Sequence, residues 1–175
     1  MRCMRSPDFS RGVITVAFSQ GWWVGGWWLV GLRPGAIHIG TSTATPKATS
    51  QFAKLHADHG SHYLAATFAG HPDHAAAGKL MSFVAGEPAI IERSRPVLDA
   101  YTAKLLVLGD KPALAASFKL VVNFFAACLL ETMGEKFTFA EKQGLNLETV
   151  ASMIKEVLQH PATAQVCREN SHPQL

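Results

Sequence analysis

Lys119 and Asn123 stand four positions apart in a stretch that reads as helix. Both therefore project from one stripe, beside the apolar face formed by Phe118, Val122 and Phe125. A lysine in such surroundings is partly desolvated, which lowers its pKa and suits it to proton transfer near neutrality. The commoner alternative is a lysine that snorkels from the edge of a buried helix. Two further segments bear on the choice. Ala66-Thr67-Phe68-Ala69-Gly70-His71-Pro72 follows an apolar run of strand character, and a small-residue turn at the carboxyl end of a strand is where open α/β sheets hold ligands. Gly40-Thr41-Ser42-Thr43-Ala44-Thr45-Pro46 follows another such run and offers hydroxyls and a helix N-terminus to an anion or cofactor.

His56, His59, His62, His71 and His74, with Asp58 and Asp73, have side chains suited to zinc or nickel. Gly60 should end a helix between His59 and His62, so His56, His59 and His62 cannot share one helical face. No metal site is expected, and most of these histidines read as exposed or helix-end residues. His71 alone lies in a turn with functional character.

The elements that must position these residues alternate. Val13 to Phe18 and Ala36 to Ile39 read as buried strands. Thr45 caps a helix that begins at Pro46, with Ala48, Phe52 and Leu55 on one face and Gly60 as its stop. His62 to Phe68 and Lys79 to Val84 read as strands, followed by a helix from Glu87 towards Tyr101 that Pro96 should kink or divide. Lys104 to Leu108 is a further short strand. From Pro112 the pattern turns helical. Asp110 is placed to cap a long helix with Leu114, Phe118, Val122, Phe125, Leu129 and Met133 on its inner stripe, bent at Gly134 and ended by Gly144. Asn146 caps a second helix that stops before Pro161, and the polar tail from Ala162 should be frayed. Strands alternating with helices, then helices alone, indicate an α/β unit with a helical extension.

Composition narrows the class. The 175 residues, 48% apolar and 17% charged, describe a globular chain, and a net charge of +3 leaves no nucleic-acid footprint. Cys3, Cys128 and Cys167 are too few and too scattered for a disulfide framework, so a reducing, cytoplasmic setting is expected. Residues 12–32 hold no charge and all four tryptophans. That length could span a bilayer, but the glycines within it and its mid-window tryptophans favour a strand and loop over a membrane anchor.

Taken in order, the three segments resemble the β-hydroxyacid dehydrogenase family, which includes 3-hydroxyisobutyrate dehydrogenase and is akin to 6-phosphogluconate dehydrogenase. Ser42-Thr43-Ala44-Thr45-Pro46 matches its S-T-x-x-P turn. Ala66, Gly70, Ala75 and Gly78 fall on its D-A-P-V-S-G-G-x-x-x-A-x-x-G segment, and Lys119-Leu120-Val121-Val122-Asn123 on its K-x-x-x-N. The resemblance runs from about Val13 to about Pro161. It implies a partial Rossmann-like nucleotide-binding sheet over residues 1–110, then a linking helix and the start of an all-α dimerisation domain over 111–175. It further implies NADP or NAD as cofactor and a small β-hydroxy acid or semialdehyde as substrate, with a homodimer or higher homo-oligomer as the assembly. Lys119 would be the catalytic acid and base and Asn123 would orient it or the substrate. Ala69, Gly70 and His71 would face the substrate, and Ser42 and Thr43 the nicotinamide end.

The chain departs from the family pattern at named places. It contains no G-x-G, whereas the family holds the cofactor pyrophosphate on a G-x-G-x-x-G loop. Ala65 stands where the family has Asp, Thr67 where it has Pro, and Ala69-Gly70-His71 where it has Ser-Gly-Gly. The chain is accordingly expected to begin partway into the nucleotide domain and to end before the family's distal Lys-Asp motif. The competing expectations are a non-catalytic dimerising remnant and a protein anchored through residues 12–32.

Overall fold

The computed structural model describes residues Ile14–Ala17 and 32–170. The Trp-rich stretch, apart from Leu32, lies outside them, as do Val13 and Phe18 at the ends of the first expected strand. The elements run β1 (Ile14–Ala17), β2 (Ile37–Gly40), α1 (Pro46–Asp58), β3 (His62–Ala69), α2 (Pro72–Ala76), β4 (Leu80–Ala85), α3 (Pro88–Leu98), β5 (Thr102–Gly109), α4 (Ala113–Lys142), α5 (Leu147–Gln159) and α6 (Pro161–Asn170). The five strands form one sheet in sequence order.

β1, β2 and β3 are parallel, β4 is antiparallel to β3, and β5 is parallel to β4. Connection length explains the reversal. Residues 70–79, with the short α2, are too few for a parallel crossover, which needs about a dozen residues or more, whereas α1 and α3 each complete one. The sheet is thus Rossmann-like with an antiparallel member.

Its two faces divide by the two-residue strand period. Ile37, Ile39, Leu64, Ala66 and Val84 pack with Ile90, Ile91 and Leu98 of α3. On the opposite face Ala65 and Ala85 pack with Ala115 of α4, and the Phe83 and Phe118 rings lie 4.8 Å apart.

Several local expectations are met by chemistry near in sequence. Thr45 Oγ1 accepts the Ala48 N–H at 3.2 Å, and Asn146 Oδ1 accepts that of Thr149 at 2.9 Å. Gly60 and Gly144 follow helix ends with φ of +68° and +70°. Others are corrected. The inward residues of α1 are Thr49 and His56, with Phe52 half-buried, while Leu55 is exposed. His56 is therefore a core residue. Pro96 does not divide α3, which runs unbroken from Pro88 and ends at Leu98, two residues after the proline. Asp110 does not cap α4. The helix starts at Ala113, and the turn before it is closed by the Leu114 N–H to the Lys111 carbonyl at 2.9 Å. α4 continues through Gly134 to Lys142 as one helix. The tail is α6 up to Asn170, because Pro161 serves the first turn of a new helix as well as it ends the previous one.

Contacts divide the chain into two units, the first ending at Asn123 and the second being Phe124–Leu175. The division was expected after residue 110. It falls inside α4 because Ala115, Ala116 and Phe118 belong to the packing of the sheet. By length and composition α4 could cross a membrane, yet these opening turns lie against β-strands.

In the second unit the helices leave much apolar surface open. Phe124 and Leu130 are 73% exposed and Phe125 and Phe139 65%. Phe125 is thus not the core residue that the α4 stripe suggested. Val122 of the first unit is half-buried, and Leu129 and Met133 of the second are half-buried as well. A groove of about 490 Å³ runs past Leu129, Met133, Leu145, Val150, Met153 and Leu158.

Candidate active site

The parallel pairing of β2 with β3 puts both carboxyl ends on one edge of the sheet. Gly40 pairs with Ala65, and β3 runs on through Ala66 to Ala69. The turn after β2 carries Ser42, half-buried, and Thr43, exposed, and leads into the Thr45 cap of α1. β3 ends at Ala69, half-buried, and the turn after it carries Gly70 and His71, both exposed. Gly70 has φ +138°, and a Cβ there would come within 2.5 Å of a Leu80 methyl carbon, so the close turn requires glycine. The His71 N–H donates to Nδ1 of His74 at 3.1 Å.

α4 reaches the same edge. Ala115 packs on the paired Ala65 and Ala85, and Phe118 on Phe83, which pairs with Thr67 two residues further along β3. The helix therefore advances towards the carboxyl end of β3, and Lys119 comes directly after Phe118. Lys119 is half-buried, and burial lowers its pKa from the ordinary lysine value. Among the described residues no hydrogen bond or ion pair holds its ammonium group. Asn123, one turn further, is exposed at the end of the first unit. The topology thus puts the Ser42–Thr43 turn and the Ala69–His71 segment at the carboxyl ends of two neighbouring strands, and Lys119 on the α4 turn directly after Phe118, which packs on Phe83. A half-desolvated amine can exchange a proton with a small oxygenated ligand.

The histidines separate. His59 donates its Nδ1–H to the Leu55 carbonyl oxygen at 2.8 Å, His62 lies 3.9 Å from Glu87, and His71 and His74 sit at α2. Among the described residues no group of three or more metal-binding side chains comes together.

Two features beneath the site were not read from the sequence. Thr67 donates its buried hydroxyl to the Ala115 carbonyl at 3.2 Å. His38 and His56, 2% and 1% exposed, contact each other at 2.9 Å between Nδ1 and Nε2. The available signal was periodicity. Thr67 shares a strand face with Tyr63 and Ala65, and His56 lies two helical turns beyond Thr49.

Residues 27–109 match the family described as the NAD binding domain of 6-phosphogluconate dehydrogenase. A relative from Bacillus subtilis (strain 168), described as the uncharacterized oxidoreductase YfjR, is 33% identical over 117 residues, covering 67% of this chain and 41% of its own length. Mycobacterium tuberculosis 3-hydroxyisobutyrate dehydrogenase, solved with L-serine, superposes with a TM-score of 0.67 at 28% identity, over 72% of this chain and 43% of that one. A protein described as Psf3, solved with NADP+ and 2-OPP, gives 0.66 at 27% identity, over 71% and 43%. The chain therefore spans less than half the length of these proteins.

Proposed function

We propose that this chain, a member of the β-hydroxyacid dehydrogenase family whose residues 27–109 match the NAD binding domain of 6-phosphogluconate dehydrogenase, serves NAD(P)-dependent oxidoreduction of a small β-hydroxy acid or its semialdehyde partner. The observation that supports this most is the parallel pairing that sets the Ser42–Thr43 turn beside the Ala69–His71 segment, together with the half-buried Lys119 whose pKa is lowered by burial.

The residues present suit the nicotinamide end of the cofactor. Ser42 and Thr43 bring hydroxyls to the start of α1, whose N-cap is Thr45. A bound nicotinamide supplies or accepts the hydride. Lys119 then gives a proton to the substrate oxygen during reduction and takes it back during oxidation, the lowered pKa making both directions accessible. Asn123 orients Lys119 or the substrate. The Ala69–His71 turn faces the substrate and Ser42 and Thr43 face the cofactor. We place the protein in the cytoplasm as a homodimer or higher homo-oligomer.

A second reading, a non-catalytic dimerising member of the family, is favoured by the exposed Phe124, Phe125 and Leu130 together with a sequence that holds no G-x-G. Titration of the protein with NADPH and NADH, followed by saturation-transfer NMR on the nicotinamide protons, separates the two. Transfer to the nicotinamide ring supports the oxidoreductase. Self-association without any transfer supports the dimerising member.

A further inference from the structure

We propose that His38, His56 and Tyr63 are positioning residues that hold the turn between β2 and α1 in the conformation that presents Ser42 and Thr43. This rests on the nicotinamide-side reading of that turn. The turn is suspended between Gly40, the last residue of β2, and Thr45, the cap of α1. His38 lies on β2 two residues before Gly40, on the same strand face, and His56 lies on α1. A hydrogen bond between these two rings therefore ties together the two elements from which the turn hangs.

The direction of that bond follows from its neighbours. The Ser61 hydroxyl donates to the His56 carbonyl at 3.2 Å, so its oxygen accepts the Nδ1–H of His56 at 2.8 Å. His56 Nε2 is then the acceptor, and His38 Nδ1–H is the donor, at 2.9 Å. Both rings are neutral and both carry the proton on Nδ1. The relay is specific to that tautomer pair, because a proton added to His56 Nε2 would face the His38 N–H.

Tyr63 of β3 fills the space between. Its ring meets His38 edge-on at 5.1 Å, His56 at 5.5 Å and Phe52 at 6.0 Å. A Cβ on Gly40 would overlap the Tyr63 hydroxyl and ring, so the end of β2 rests directly on this side chain. Strand, helix and neighbouring strand are locked beneath one turn, which pre-organises its hydroxyls.

The test uses two substitutions at one position. His38→Phe keeps a ring and removes the donor, and His38→Asn restores a donor near Nδ1. We expect His38→Phe to move the backbone amide resonances of Ser42 and Thr43 while leaving those of Ala69 and Gly70 in place. NADPH affinity should fall about fivefold, the worth of one net hydrogen bond, and His38→Asn should recover most of it. Nitrogen-15 shifts of the wild-type imidazoles should report Nδ1 protonation on both rings. Tyr63→Phe is the second variant should His38→Phe not fold, and it should shift the same two amides.

Amide changes spread equally over Ala69 and Gly70, or absent from Ser42 and Thr43, overturn the proposal. So does wild-type NADPH binding that His38→Phe alters less than about twofold, a change too small for a hydrogen bond. If wild-type protein binds no NADPH yet the Ser42 and Thr43 amides respond as expected, the positioning role stands and the oxidoreductase reading fails.

Discussion

The Thr67 hydroxyl donates to the carbonyl oxygen of Ala115 at 3.2 Å. In an α-helix that carbonyl also receives the N–H of the residue four places on, here Lys119. One buried oxygen therefore joins β3, whose end carries Ala69 to His71, to the turn of α4 that carries Lys119. The strand that presents one half of the site holds the other half in place.

Thr67→Val keeps the shape of the side chain and removes this bond. We expect a loss of about 1 kcal/mol in stability by urea denaturation, at the modest end because Ala115 keeps its intrahelical partner. Thr67→Ser, which retains the hydroxyl, should recover the hydrogen-bond share of that loss. Equal midpoints for Thr67→Val and wild type would show that the bond contributes nothing to docking α4.

Acid should destabilise the fold through its buried histidines. Burial, and next the charge of His56, push His38 down to about 3, while burial, followed by His59 and His62, pushes His56 down to about 4. The unfolded chain takes up these protons below pH 6.5 and the folded chain does not, so stability is fully present above 6.5 and is lost as pH falls towards 4 and then 3. The slope in that window is about 1.4 kcal/mol per pH unit for each histidine. Urea midpoints measured at about pH 7.5 and about pH 5 should differ accordingly, and His38→Phe should remove one histidine's share. A flat profile between these values would place the two rings in water.

How much of this was legible in the sequence depended on how far away the deciding partner lies. Thr45 with Pro46, Gly60, Gly144 and Asn146 declare helix ends through groups within a few residues, and the structure bears them out. The turns after β2 and β3 were equally legible as turns, because each follows directly on its strand. His56 was misread because an imidazole becomes a core group only when a partner satisfies it, and His38 stands 18 positions earlier. Thr67 was hidden in the same way, with its acceptor 48 positions on. The tail was misread from its polarity, although Pro161 is a good first helical residue. The reversal of β4 was open to reading from the shortness of residues 70–79, but the alternation of strands and helices alone says nothing of strand direction.

The second unit should self-associate. Phe124, Phe125, Leu130 and Phe139 expose large apolar side chains, and the groove past Leu129 and Met153 is apolar, so burying them against a second copy is favourable at about 25 cal/mol per Å². Sedimentation velocity should show a concentration-dependent dimer or larger species, and Phe125→Glu should shift it towards monomer. A monomer stable across the micromolar range, indifferent to Phe125→Glu, would contradict this.

Lys119 has the proposed role of exchanging a proton with the substrate oxygen. That role is tested most directly by hydride transfer from NADPH to small semialdehydes, measured for this chain fused behind a G-x-G-x-x-G half taken from a relative. The fusion supplies the pyrophosphate loop that this sequence does not contain. Lys119→Ala in the active fusion should lower the rate by about 10²-fold or more while NADPH affinity stays nearly unchanged, because the amine works in the transition state. An active fusion in which Lys119→Ala changes the rate by less than about threefold would contradict the assignment, since a positioned acid contributes far more than that.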